Sequence, residues 1–111
     1  MTPEQSALVT RVRALLPADA AVREVSMFGG RALMVDERML VSAGKDGSLL
    51  VRVDETQHEQ LMERPGTSQP TMGEGRSMGP RWILVAQEAL TADGDLASWI
   101  ETALEHHRTA G

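Results

Sequence analysis

The chain has 111 residues, of which 41% are hydrophobic and 3% aromatic, with a net charge of −5 at pH 7 and no cysteine. This fits one domain around one core and excludes global disorder, disulfides, thiolate metal sites and cysteine nucleophiles. The acidic balance argues against broad attraction to nucleic acid or anionic lipid, and no apolar run is long enough to span a membrane.

The opening stretch, MTPEQSALVT, lacks a basic start and a long apolar run, so a cytoplasmic location is expected. It begins a helix instead. Thr2 suits the N-cap, Pro3 the first helical position, and Gln5 the third position after the cap, as in a capping box. Leu8, Val12, Leu15 and Leu16 then form an apolar stripe, and Pro17 ends the helix. From Val22 to Val53 the pattern shortens to β-type runs. VREVSMF and RALMVD flank Gly29 and Gly30, which predicts a hairpin with those glycines as its loop. That register sets Phe28 against Arg31, Met27 against Ala32 and Val25 against Met34, with Arg23 meeting Asp36 as an opposite-charge pair. Val25, Met27, Ala32 and Met34 then share one face.

Asp36–Arg38 reads as the next turn and MLVSAGK as a third strand, joined through Asp46–Gly47 to SLLVRV. With that loop, Leu40 and Ser42 share a face with Leu49, Val51 and Val53. The other face receives Val41, Ala43, Leu50 and Arg52, a mixture that implies partial exposure or a partner. Asp54 is placed to cap a short helix, ETQHEQLM. Glu63–Pro80 is rich in Gly, Pro and Ser without periodicity, which predicts a long functional loop. RWILVA resumes as a strand. DGDLASWIETALEHHR closes as an amphipathic helix, with Leu96, Trp99, Ile100, Ala103, Leu104 and His107 on one side and its charges ordered with the helix dipole. The expected fold is α+β: an antiparallel β-meander of about five strands with the N- and C-terminal helices packed on one face.

The glycine pair lacks the third glycine of a dinucleotide fingerprint and the Lys-Ser/Thr of a P-loop, so a turn is preferred to a phosphate cradle. His106 and His107, adjacent on a helix, diverge by about 100° and suit a helix end better than a shared metal. His58 stands alone and is expected to be solvated. The carboxylate pairs Asp36/Glu37 and Asp93/Asp95 fall at a turn and a helix start, where carboxylates are ordinary. Ser77 has no evident base. No catalytic residue, metal ligand or cofactor is therefore expected. GRSMGPRW invites a nucleic-acid reading, with Trp82 stacking a base and Arg76 and Arg81 on phosphates. Packing of Trp82 against Trp99 or the first helix is preferred.

Taken together, MFGGRALMVDERML, LLVRV, GRSM and WILVAQEALTADGDLASWIETAL resemble the N-terminal domain of the TfoX/Sxy family. The resemblance covers Val22 to Arg108, and MFGG followed by an apolar strand is its most specific part. VAQEAL departs from it, since the family often has a proline before the Glu. The resemblance implies an antiparallel sheet packed by terminal helices, similar to type III secretion chaperones, with no defined catalytic residues. Full-length members regulate natural competence, acting with the cyclic AMP receptor protein, and carry a further C-terminal helical domain. Ending at Gly111, the chain reads as a single domain, 1–111, without that addition.

The expected function is a non-enzymatic protein–protein interaction module, accessory to transcription or competence genes. Its expected partners are a protein such as a transcription regulator, or a second copy in a homodimer, and no membrane. Arg31 and Arg52 are the candidate contacts on the sheet, with Arg76, Met78 and Arg81 contributing from the long loop. Gly29, Gly30, Asp46 and Gly47 are assigned to structural turns. The alternatives are a nucleic-acid-binding domain using Arg64–Trp82, and a small-ligand domain or enzyme built beneath the long loop.

Overall fold

The computed structural model describes residues 1–27, 29–72 and 75–109, with only the backbone of Met72. Helix α1 spans Pro3–Leu15, and the Thr2 hydroxyl accepts a hydrogen bond from the Gln5 amide at 3.1 Å. Leu8, Val9, Val12 and Leu16 are buried, whereas Leu15 is 38% exposed. The expected stripe is thus corrected from Leu15 to Val9. Successive helical residues are turned by about 100°, so Leu15 cannot share the face of Leu16 and Val12 fully. Leu16 is already extended, at ψ 151°, as the residue before a proline prefers.

Strands β1 (Val22–Met27), β2 (Gly30–Val35), β3 (Arg38–Ala43) and β4 (Leu49–Arg52) form an antiparallel meander. The chain then passes through a 3₁₀ turn, Glu55–Gln57, capped by the Asp54 carboxylate, into α2 (His58–Leu61). Three two-residue strands follow: β5 (Thr67–Ser68), β6 (Thr71–Met72) and β7 (Arg76–Ser77). β8 (Trp82–Val85) pairs with β4, and a 3₁₀ turn at Gln87–Leu90 leads to α3 (Asp93–Thr109). The main sheet has six strands in the order β1-β2-β3-β4-β8-β5, and β6 and β7 form a separate hairpin. The expected α+β architecture is present, with more strands than the alternation revealed. Glu63–Pro80 is not structureless: it supplies an edge strand and a hairpin too short for a periodic signal.

Both long helices lie on one face of the sheet. Leu33, Val35, Val41, Ala43, Leu49, Val51, Ile83 and Val85 point toward them and meet Leu8, Val9 and Val12 of α1 and Leu96, Trp99, Ile100 and Ala103 of α3. Burial of one such aliphatic side chain stabilises the fold by roughly 1.5–3 kcal/mol. The other face carries Val25, Met27, Ala32, Met34, Met39, Ser42, Leu50, Arg52, Trp82 and Leu84, and among the described residues neither long helix packs on it.

Two hairpin registers differ from expectation. In the first, Met27 pairs with Gly30 and Val25 with Ala32, so the loop precedes Gly30. The expected partner of Arg31, Phe28, lies outside the described residues; Arg31 pairs with Ser26. Arg23 bridges Glu37 at 2.7 Å instead of Asp36. Gly29 supplies the positive φ, +79°, while Gly30 is needed in the strand, where a Cβ would sit 2.6 Å from Ser42 Oγ and 3.2 Å from the Ala43 carbonyl oxygen. The displacement is even, so the expected face shared by Val25, Met27, Ala32 and Met34 is preserved.

In the β3–β4 hairpin, the Gly44 amide donates to the Ser48 carbonyl at 2.8 Å, leaving Lys45, Asp46 and Gly47 as the loop. Gly47 has φ +82°, and Asp46 Oδ1 accepts from the Ser48 amide at 3.0 Å and the Ser48 hydroxyl at 2.6 Å. This loop is one residue longer than expected, so the faces exchange. Val41 and Ala43 join Leu49 and Val51 in the core, and Ser42 joins Leu50 outside.

Candidate functional site

The helix-free face is not flat. The β6–β7 hairpin stands over it and closes one side of a groove of about 950 Å³. The floor comes from the sheet: Met39, Ser42, Leu50, Trp82 and Leu84. The hairpin side supplies Pro70, Thr71, Arg76 and Met78, and the two strand turns supply Met27, Gly29, Gly30, Gly44, Lys45, Asp46 and Ser48. Strand alternation explains the apolar floor, because residues opposite one another across β3, β4 and β8 share a face.

The hairpin is fixed at its base by hydrogen bonds. The Met78 amide donates to the Pro70 carbonyl at 3.0 Å, and Gln69 Nε2 donates to the Gly79 carbonyl at 2.8 Å. His58 Nε2 in turn meets Gln69 Oε1 at 2.8 Å, so α2 orients the amide that holds the hairpin. At the other rim, the Thr2 hydroxyl donates to the Lys45 carbonyl, and Gln5 Nε2 donates to the Ala43 carbonyl at 2.9 Å. The start of α1 thereby positions the turn that carries Lys45.

Most of the lining is apolar, and its charged side chains among the described residues are Lys45, Asp46 and Arg76. The Ser48 hydroxyl and amide hold the Asp46 carboxyl below the usual carboxylate range, which makes it a poor proton acceptor at neutral pH. Ser42 is 7% exposed, and no histidine lines the groove beside it. Among the described residues no cluster of three or more His, Asp or Glu side chains could hold a metal ion. No helix of the described chain is long and apolar enough to cross a membrane.

The structure divides the candidate contacts. Arg76 and Met78 line the groove. Arg52 shares the helix-free face, opposite Trp82 and beside the groove. Arg31 lies on the helix-bearing face instead, within 3.4 Å of Glu24 and donating to Ser26 Oγ at 2.8 Å. It borders a smaller recess of about 450 Å³ with Thr2, Gln5 and Lys45. Arg81 is exposed and lies 3.9 Å from Glu55. Of the assigned turn residues, Gly29, Gly30 and Asp46 border the groove, whereas Gly47 approaches Gln87.

Other sequence expectations separate similarly. Trp82 does not pack against Trp99 or α1: it opens onto the groove, while Trp99 is buried in the core on the opposite side of the sheet. Arg64 stacks over Trp99, 4.5 Å from the ring centroid. His58 is half-buried against Gln69 rather than solvated. At the end of α3, Arg38 donates to the His107 carbonyl at 3.2 Å, and His107 itself is 8% exposed. Burial pushes the pKa of His107 down, assisted by Arg38; burial and then Arg52 do the same for His106.

The groove residues missed from sequence include Met27, Met39, Lys45 and Leu84, whereas Leu50 is on the face expected to meet a partner and Trp82 is considered for function only as a base-stacking residue. No curated protein matches the chain. The TfoX N-terminal domain family matches residues 14–107, which contain every strand of the sheet and most of α3. By that match the chain belongs to the TfoX/Sxy family, as an N-terminal domain.

Proposed function

We propose that this domain is a non-enzymatic protein–protein interaction module, accessory to transcription, and that it receives its partner on the helix-free face of the sheet. The observation that carries the reading is the groove: an apolar floor of Met39, Leu50, Trp82 and Leu84, on which neither long helix packs, walled by the β6–β7 hairpin. Concave apolar surfaces bordered by a few charged groups are characteristic of recognition sites. Family membership supports a regulatory role, and the one hydroxyl–carboxylate contact among the described lining residues, Ser48 to Asp46, closes a turn and holds that carboxyl below its usual range.

The nucleic-acid alternative would need Arg64, Arg76, Arg81 and Trp82 to converge. Only Arg76 and Trp82 do, since Arg64 lies over Trp99 and Arg81 faces Glu55. Affinity purification with the full chain and with Leu50→Arg tests the proposal. The full chain retains a specific protein, and the variant loses it at an unchanged melting temperature. Retention by Leu50→Arg, or nucleic acid as the only retained species, overturns it.

A further inference from the structure

Resting on the groove as the partner site, we infer that its occupant is a short peptide segment combining apolar anchors with aspartate or glutamate. Three features specify that chemistry. The lining is rich in methionine, with Met27, Met39 and Met78 facing the groove. Unbranched thioether side chains repack around differing apolar groups, which suits a segment more than one rigid small molecule.

The second feature is charge. In a chain of net charge −5, Arg11, Arg13, Arg23, Arg31 and Arg81 each lie within 4.0 Å of a carboxylate. Among the described residues Arg38, Lys45, Arg52, Arg64, Arg76 and Arg108 have no such partner, and of these Lys45 and Arg76 line the apolar groove. Among the described residues the one carboxylate there, Asp46, is turned into its own loop and accepts both hydrogen bonds that Ser48 offers. The cations are therefore left to an incoming acidic group, and an approaching basic segment meets repulsion.

Third, the lining contains Gly29, Gly30 and Gly44, so parts of the two turns present backbone rather than side chains. A peptide main chain can use such surfaces as well as the side-chain pockets. A second copy of this chain is the main competing occupant.

Selection of a random peptide library on the immobilised full chain tests the inference, with Leu50→Arg and Met78→Glu domains as paired controls. Enriched peptides should join Leu, Phe, Met or Trp to Asp or Glu and should fail on both controls. Their affinity should fall by about tenfold on Lys45→Glu/Arg76→Glu at low salt, with a smaller difference at high salt. Enriched neutral or basic peptides that still fail on the controls overturn the acidic assignment and leave the groove reading standing. No enrichment above the controls overturns both. A dimer dissolved by Leu50→Arg, or a long-chain carboxylate recovered from the purified protein, also overturns the peptide assignment.

Discussion

Gln5 Nε2 donates to the Ala43 carbonyl oxygen at 2.9 Å, joining the first turn of α1 to the last residue of β3. Gln5 is 4% exposed, so its amide is committed to this bond rather than to a reciprocal cap on Thr2. Replacing it by leucine leaves a buried carbonyl short of a donor. Gln5→Leu should therefore lower stability by about 1–3 kcal/mol. Thermal melting checks the loss. Slower exchange of the Lys45–Ser48 amides in the variant would contradict the anchoring role.

Gly66 and Ala89 impose a second constraint, at the junction of β5 and the 3₁₀ turn before α3. Gly66 has φ +75°, and a Cβ added there would lie 2.5 Å from the Ala89 methyl. Its carbonyl also accepts from the Ala86 amide at 2.8 Å, which limits any shift. Gly66→Ala should cost about 1–3 kcal/mol from strain and overlap together. Ala89→Gly in that background should restore only the steric part. Gly29→Ala, with equal strain at φ +79° but no atom within 4 Å, should be milder in the same denaturant titrations.

The two misassigned hairpins explain how much of the site was legible. Strand identity, the capped first helix and the buried face of α3 all followed from periodicity and capping chemistry. Loop length did not, because glycine can serve either the turn or a close approach to a neighbouring strand. At Gly30 the second role wins, and the even slip left Val25, Met27, Ala32 and Met34 together. At Gly47 the left-handed residue ends a longer loop, and the odd slip exchanged Val41 and Ala43 for Ser42. The groove floor therefore could not be assembled from the sequence. Arg76 and Met78 were identified by composition alone; the pairing of β6 with β7 that carries them depends on Gln69 and His58, contacts with no local signature.

His107 makes stability sensitive to mild acid. Burial and Arg38 lower its pKa below 6.5, and Asp36 Oδ2, 3.9 Å away, only partly offsets them. His106 shifts the same way through burial, then Arg52, with Arg81 and Arg38 adding and Asp54 opposing. Below the ordinary value of 6.5 the unfolded chain binds these protons more readily than the folded one. Stability should therefore rise with pH through that window and fall as pH drops below it. Asp46 and Asp54, with lowered pKa values, contribute stability that is lost only below the carboxylate value of 3.8. Melting temperatures from neutral to mildly acidic pH should decline for the parent chain and decline less for His107→Gln. An equal decline would exclude His107 as a source.

Gln69 offers a way to loosen the groove wall without touching the groove floor. Its amide receives His58 Nε2 and donates to the Gly79 carbonyl, each at 2.8 Å, while the hairpin strands themselves contain two residues each. So short a hairpin has little stability of its own and depends on such anchors. Gln69→Ala should leave the main sheet intact and change the melting temperature only slightly, because the core on the other face is untouched. Protease cleavage within residues 75–80 should accelerate, and a bound peptide should dissociate faster. Met78→Ala removes a wall contact but keeps the anchors, so it should weaken binding without speeding cleavage. If both variants changed cleavage alike, hairpin order would rest on Met78 packing rather than on the Gln69 bonds.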